Sequence, residues 1–451
     1  MPAPCFPAFV RLCRPGILKA EERPGNRWNG IPSVQITSVQ TRRSLLRNMG
    51  AAAALTGLGL RNAQAARGHH AHGKAAAAAA EAEAADATPA ATLVGPLPTP
   101  ARWSYVLDHT TGTVLLDKAG NEHMPPSSLT KMMTAYVVFT FLAAGKLHLD
   151  QMLPVSDRAW RTQGSKSFVP QGGNASVSDL IQGMIIQSGN DACIVLAEGI
   201  AGSEERFVAL MNEAARRIGL TGSHFMNCTG LPAPDHYMTA RDVAVLAGRL
   251  VHDFPQYYHF FGEKEFTFNG IKQGNRNVLV DKGLADGLKT GHTDAGGFGL
   301  CASSERPNAD GDRNRVIVVI NGTSSSNQRA REGERLLSWA FANFETVTFF
   351  HKGQVVEPAA PVWMGTHRTI PLLASEPVSM TVPAGWRDKT RVTVDYYSPL
   401  IAPIQAGQPC GTVSIWFNGK LTRQVPLVAG VSVERLGLLG RTLARLGHAP
   451  A

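Results

Sequence analysis

The sequence predicts an α/β domain followed by a small all-β domain. Three observations carry this reading. Short apolar runs flank a Thr-Thr-Gly turn after Trp103; helical apolar patterns from Leu129 to Val251 give way to a strand pattern at Arg315 to Asn321; beyond Thr346 the texture turns to β-rich runs separated by Pro and Gly. At 451 residues the chain exceeds the size at which one hydrophobic core keeps growing, so two domains and some unstructured length are expected. Hydrophobic residues at 44% and charged residues at 18% exclude a wholly disordered or wholly membrane-embedded chain.

In chain order, residues 1–65 read as an extension and an export signal. Thr41 to Arg47 is T-R-R-S-L-L-R, followed by the apolar stretch Met49 to Leu60 and the small-residue pattern Ala63-Gln64-Ala65, as in a twin-arginine signal. The Pro, Arg and Gly content of Met1 to Gln40 predicts no packed element there. Residues 66–101, rich in Ala and then Pro, read as a linker. A globular domain is expected over 102–345. Its opening hairpin uses Tyr105 to Leu107 and Val114 to Leu116, and helices follow at Leu129 to Ala144, Val177 to Gln187, Ala192 to Ala201, Ser203 to Ile218 and Thr239 to Val251.

Residues 346–430 form the expected β domain, with runs at Val347 to Phe350, Val378 to Val382, Arg391 to Tyr397 and Gly411 to Phe417. In residues 431–451, Leu436, Leu439, Leu443 and Leu446 recur at helical spacing near Arg435, Arg441 and Arg445. Such an amphipathic basic helix suits either peripheral contact with an anionic membrane or docking against the β domain, and amphipathicity alone does not separate the two. No run of 18 or more apolar residues follows the signal, so no transmembrane span is expected there.

The formal charge of +9 is spread without a basic run interleaved with aromatics, which excludes a nucleic-acid partner and favours an anionic surface. The six cysteines (Cys5, Cys13, Cys193, Cys228, Cys301, Cys410) contain no CxxC pair, so no metal site or redox motif is indicated, and disulfide pairing stays open. No metal or organic cofactor is expected.

Chemistry concentrates in three places. Ser128-Leu129-Thr130-Lys131 follows two prolines at the start of a helix, which puts a hydroxyl and an amine on one face. A serine hydroxyl is a weak nucleophile until a base removes its proton, and a desolvated lysine can serve as that base. Ser188-Gly189-Asn190 follows an apolar helix, and Lys289-Thr290-Gly291 follows Gly287-Leu288. S-x-x-K alone is weak evidence; the three motifs in this order are the signature of serine penicillin-recognising enzymes.

With Tyr237-Met238-Thr239-Ala240-Arg241-Asp242 and Asp286-Gly287-Leu288-Lys289-Thr290-Gly291-His292-Thr293, the chain from Arg102 to Phe344, and on through the β domain, resembles the D-alanyl-D-alanine carboxypeptidases, the low-molecular-mass penicillin-binding proteins. The resemblance implies a β-lactamase/transpeptidase-like α/β domain, an antiparallel sheet flanked by helices plus a helical subdomain, with the Ser128 helix facing the Lys289 strand. It implies an exported periplasmic enzyme acting on peptidoglycan pentapeptides ending in D-Ala-D-Ala and acylated by β-lactam antibiotics. Ser128 would attack the peptide carbonyl with Lys131 as proton acceptor, and Ser188 would pass a proton to the leaving amine. Asn190 would hold the substrate amide, Lys289 and Thr290 the terminal carboxylate, and Arg329 would assist. Gly291 and His292, in the same strand motif, would also bind substrate, and the N–H groups of Ser128 and His292 would form the oxyanion hole.

Asp191 is expected to be a structural hydrogen-bond partner, Cys193 a buried small hydrophobe, His123 a loop surface residue and His292 a backbone-placed neighbour rather than an acid or base. A class A β-lactamase would need a glutamate in an E-x-x-L-N pattern, which is absent; Asn227-Cys228-Thr229-Gly230-Leu231 stands in its place and resembles the carboxypeptidases. A DD-endopeptidase is the closer rival. An idle wall-binding scaffold would be free to lose the motifs, which are intact.

Overall fold

The structure, a computed structural model, describes residues 34–39, 88–308, 311–438 and 442. The described residues fall into two compact units: one runs to Thr346 and includes Thr381–Ala384, and the other comprises Val347–Met380, the residues from Gly385 on and the strand Val34–Val39.

The first unit is built on one antiparallel sheet. Its strands are β1 (Thr88–Thr92), β2 (Leu97–Thr99), β3 (Trp103–Asp108), β4 (Thr113–Lys118), β5 (Gly287–Thr293), β6 (Gly297–Pro307) and β7 (Arg313–Thr323), in the order β5-β6-β7-β3-β4-β1-β2. The period-two alternation of a strand sorts β7 between two cores: Ile317 and Val319 face one, while Val316, Val318 and Ile320 face the other. The helices are α1 (Lys131–Ala143), α2 (Val177–Ile186), α3 (Asn190–Ala201), α4 (Glu204–Arg217), α5 (Ala240–Asp253) and α6 (Ser326–Asn343). Helix α1 is apolar on every side, and Met132, Met133, Ala135, Val138 and Phe139 are all buried, as a helix at the centre of a helical layer must be. The opposite sheet face is closed by Leu336, Leu337 and Ala340 of α6.

Four of these helices begin at side-chain caps. The hydroxyls of Ser176, Ser203, Thr239 and Ser325 accept from the backbone N–H groups of Asp179, Arg206, Asp242 and Gln328, and the first three of these helices start within a residue of the sequence expectation because that chemistry is local.

Two expectations are corrected. The stretch read as the end of a linker, 88–99, is the edge hairpin of the sheet: Pro89 and Pro98 sit opposite one another, and β1 adds its other side to β4. Prolines signal a linker, yet an edge strand tolerates them where no ladder hydrogen bond is needed. Likewise Val34–Val39, expected to lack a packed element, is a strand parallel to Thr390–Tyr397, with Val34 opposite Val392 and Ile36 opposite Val394. Its β-branched alternation outweighs the composition around it. The export-signal residues 41–65 lie outside the described residues.

The second unit carries strands β8 (Val355–Trp363), β9 (Thr369–Ala374), β10 (Thr390–Tyr397), β11 (Pro409–Phe417) and β12 (Lys420–Ala429). They run in the order β10-β11-β12-β9-β8, with Val34–Val39 on the β10 edge and Leu400–Ile401 on the β8 edge. Alternate residues Val392, Val394, Val413, Ile415, Val425 and Leu427 are fully buried. The helix expected over 431–451 does not include its first residues: Val433 and Arg435 form isolated bridges with Ile404 and Gly365. Most of the remaining segment lies outside the described residues. Among the described residues no helix is long and apolar enough to cross a membrane.

Candidate active site

Two prolines bring the chain into a single turn of tight helix, Ser127–Thr130, which leads directly into α1. Ser127 takes φ +50°, so the turn is set by its surroundings rather than by local preference. Lys131, at the first position of α1, donates from Nζ to Ser128 Oγ at 3.0 Å and to the Thr229 carbonyl. Its side chain is 1% exposed. Burial pulls its pKa below the ordinary lysine value, and the thiols of Cys193 and Cys228 oppose this only in part. An amine that surrenders its proton more easily than usual, in contact with a hydroxyl, can act as that hydroxyl's base.

Ser188 occupies the turn between α2 and α3 at φ +67°. Its Oγ is buried and makes no hydrogen bond within the protein. Next to it, Asn190 gives Nδ2 to the Gln163 carbonyl at 2.7 Å, and its backbone N–H goes to the Ser165 carbonyl at 2.7 Å. Gly164 between them is at φ +86°, and a Cβ there would stand 2.7 Å from Asn190 Nδ2. Asp191 takes the backbone N–H groups of Ser167, Phe168 and Val169 at 2.8, 2.9 and 3.3 Å. It is thus the structural partner expected, and it pins the loop 163–169 over the site. Cys193 is fully buried and its thiol is pushed up to about 12 by desolvation, so it is no nucleophile.

The facing wall is β5. A Cβ on Gly291 would lie 3.1 to 3.2 Å from Ser127 Cβ, the Pro126 carbonyl and Ser128 N, so glycine lets the strand run against the serine turn. His292 stacks on Phe298 with ring centroids 3.9 Å apart. Lys289 is 1% exposed and donates to the Thr290 carbonyl at 3.2 Å. Burial, followed by the like charges of Lys131 and Arg276, holds its pKa well below the usual lysine range. From α6, Arg329 reaches the Gly291 carbonyl at 3.5 Å and lies over Phe298; burial brings it to about 10, still cationic at neutral pH.

These elements line an open cleft of about 390 Å³. Of the residues expected from sequence, Ser128, Ser188, Thr290, Gly291, His292 and Arg329 line it, whereas Lys131, Asn190 and Lys289 stand behind the wall. Sequence reasoning missed Ser165, Arg276, Phe298 and Ser326 in the lining. Arg276 lies in a loop before β5 and donates to Ser165 Oγ at 2.8 Å. No local motif flags it; the available signal was a charged residue in the short stretch leading into the Lys-Thr-Gly strand. The cations on the wall are Arg276 and Arg329, because the Lys289 ammonium is buried beneath.

Residues 92–324 match the D-alanyl-D-alanine carboxypeptidase family, and residues 344–435 match the penicillin-binding protein 5 C-terminal domain. The chain is 42% identical over 350 residues to the D-alanyl-D-alanine carboxypeptidase DacC of Escherichia coli, covering 76% of this chain and 86% of the relative. To DacA of the same organism it is 37% identical over 369 residues, covering 80% and 90%. Penicillin-binding protein 5 from Haemophilus influenzae superposes with a TM-score of 0.67 at 34% identity, over 74% of this chain and 98% of that one. Penicillin-binding protein 6B from Escherichia coli gives 0.59 at 35% identity, over 73% and 95%. The serine turn, the paired lysine and the facing Lys-Thr-Gly strand are therefore those of a member of the D-alanyl-D-alanine carboxypeptidase family, to which this chain belongs.

Proposed function

We propose that the protein removes the terminal D-alanine from peptidoglycan stem peptides through an acyl-enzyme on Ser128, and that β-lactams acylate the same oxygen. The observation that carries this reading is the 3.0 Å contact between the buried Lys131 amine and Ser128 Oγ. As Oγ bonds to the peptide carbonyl carbon, its proton passes to Lys131 Nζ. The carbonyl oxygen becomes an oxyanion facing the N–H groups of Ser128 and His292. The C–N bond then breaks, the leaving amine takes a proton through Ser188, and D-alanine departs. Water adds to the ester carbonyl, the ester C–O bond breaks, and Ser128 regains its proton. The terminal carboxylate of the substrate is held at Thr290, with Arg329 and Arg276 supplying full positive charge and Lys289 supporting the strand from beneath. Asn190, behind the wall, acts by fixing the loop 163–169 through Gln163 and Ser165.

The test is intact mass after incubation with benzylpenicillin, with peptide mapping of the adduct, beside D-alanine release from a pentapeptide ending in D-Ala-D-Ala. An adduct on Ser128 with release of D-alanine is expected, and Ser128→Ala abolishes both. Labelling that survives this substitution overturns the nucleophile assignment; rapid penicillin turnover without peptide cleavage points to a β-lactamase instead.

The same reading takes residues 41–65 as a twin-arginine signal that exports the enzyme to the periplasm, the unit from 88 to 346, edge hairpin included, as the catalytic domain and the strands beyond it as its β-rich companion. Past the bridges at Val433 and Arg435, the Leu and Arg spacing of the chain end suits peripheral contact with the inner membrane and docking against the β domain equally, and vesicle co-sedimentation of the full chain against one ending at Arg435 decides between them.

A further inference from the structure

Lys131 has a flexible four-carbon stem, so the place of its amine depends on what receives it. On one side is Ser128 Oγ; on the other is the Thr229 carbonyl, which belongs to a loop distant in sequence. That loop is organised from within by Asn227 Oδ1, which accepts from Thr229 N at 3.2 Å and Gly230 N at 2.7 Å. It is also pressed against the serine turn: Gly230 is at φ +84°, and a Cβ on it would fall 1.8 Å from the Ser127 carbonyl.

His236 spans the two parts. Its Nδ1 accepts from Met226 N at 3.1 Å, at the start of the loop, and its Nε2 lies 2.9 Å from Thr130 Oγ1, in the serine turn. Because a backbone N–H occupies Nδ1, the proton of the neutral ring resides on Nε2, which donates to Thr130. The ring is 8% exposed and packs edge-on against Phe225. We propose that His236 is a positioning residue of the acylation step, bracketing the Ser128–Lys131 turn to the loop that receives the Lys131 amine. Burial, with His224 and Lys131 adding to it, lowers the imidazole to about 4, so one uncharged tautomer holds the bracket throughout the neutral range. Thr134 Oγ1 adds a tie from α1 to the Cys228 carbonyl at 2.7 Å, which holds the loop to the helix but not to the turn.

The inference rests on Ser128 and Lys131 being nucleophile and base, and the test separates the two levels. Acylation of the purified protein by a fluorescent penicillin is followed at varied concentration, giving a dissociation constant for the encounter complex and a rate constant for bond formation. His236→Ala is expected to slow bond formation about tenfold or more while leaving the dissociation constant within about twofold, since a small displacement of a reacting group costs rate rather than affinity. His236→Gln, whose amide offers an acceptor and a donor from one group, restores most of the rate. Thr130→Val removes the bracket from the other end without emptying a cavity, so it gives the same loss should His236→Ala fail to fold. A wild-type acylation rate in His236→Ala or Thr130→Val, equal loss of binding and rate, or no rescue by Gln overturns the bracket. Labelling on a residue other than Ser128 overturns the underlying assignment instead.

Discussion

Replacing Lys131 by Met separates catalysis from stability. The thioether keeps most of the volume of the lysine stem and removes the amine. Loss of a positioned base costs about 10²- to 10⁴-fold in rate. Stability responds to two opposed effects. Removing a buried polar group relieves its desolvation, about 1 to 3 kcal/mol when a hydrophobe of similar volume takes its place. Leaving the Thr229 carbonyl without its donor costs about 1 to 3 kcal/mol. The two nearly cancel, so the variant is expected to melt within a few degrees of the wild type while losing two to four decades of acylation. The pH profile supplies the sign. The amine must be unprotonated to act, so the wild-type acylation rate rises with pH through its folded-state pKa. Burial lowers that value, which places the limb below 10.5. Stopped-flow acylation by benzylpenicillin from pH 5 to 11, with melting curves for both proteins, measures all three quantities. A limb at the ordinary lysine position, or a Met variant within tenfold of wild type, refutes Lys131 as the base.

Two more substitutions probe the walls. Arg329→Gln, which removes a full charge from the cleft, is expected to raise KM for a D-Ala-D-Ala peptide about tenfold or more and to leave turnover of the C-terminally amidated peptide unchanged; equal effects on both peptides would show that the guanidinium does not read the carboxylate. Asp191→Asn keeps the shape but weakens the hydrogen bonds to Ser167, Phe168 and Val169, for an expected loss of about 1.5 to 3 kcal/mol in chemical denaturation and faster amide exchange at those three positions; unchanged exchange there would dismiss Asp191 as the anchor of the loop.

The serine turn, the Ser188 turn and the Lys289 strand were legible because their chemistry depends on short spacings, and S-x-x-K fixes the hydroxyl and amine on one face whatever surrounds them. The long helices were legible because their caps and apolar periodicity are local. What the sequence did not disclose is set by contacts across the fold. Arg276 and Phe298 reach the cavity only because β5 and β6 pair and the loop before β5 turns inward. That Lys289 lies beneath the wall instead of on it depends on the burial of a strand face, which residue identity does not encode. In the β domain, Pro358 and Pro361 masked strand β8, and Thr369–Ala374 was too short to stand out.

The loop 163–169 is tied to Ser165 and Gln163 by Asn190, to residues 167–169 by Asp191, and again at Ser165 by Arg276. Two of those three fastenings belong to residues immediately after Ser188. A bulky substituent that pushes the loop outward therefore pulls on the turn that carries Ser188, the proposed proton relay. Selection in such a site is then expected to act on the acylation rate as well as on binding: an antibiotic or cross-linked peptide that enters but displaces the loop should acylate slowly, so affinity measurements alone would misjudge it.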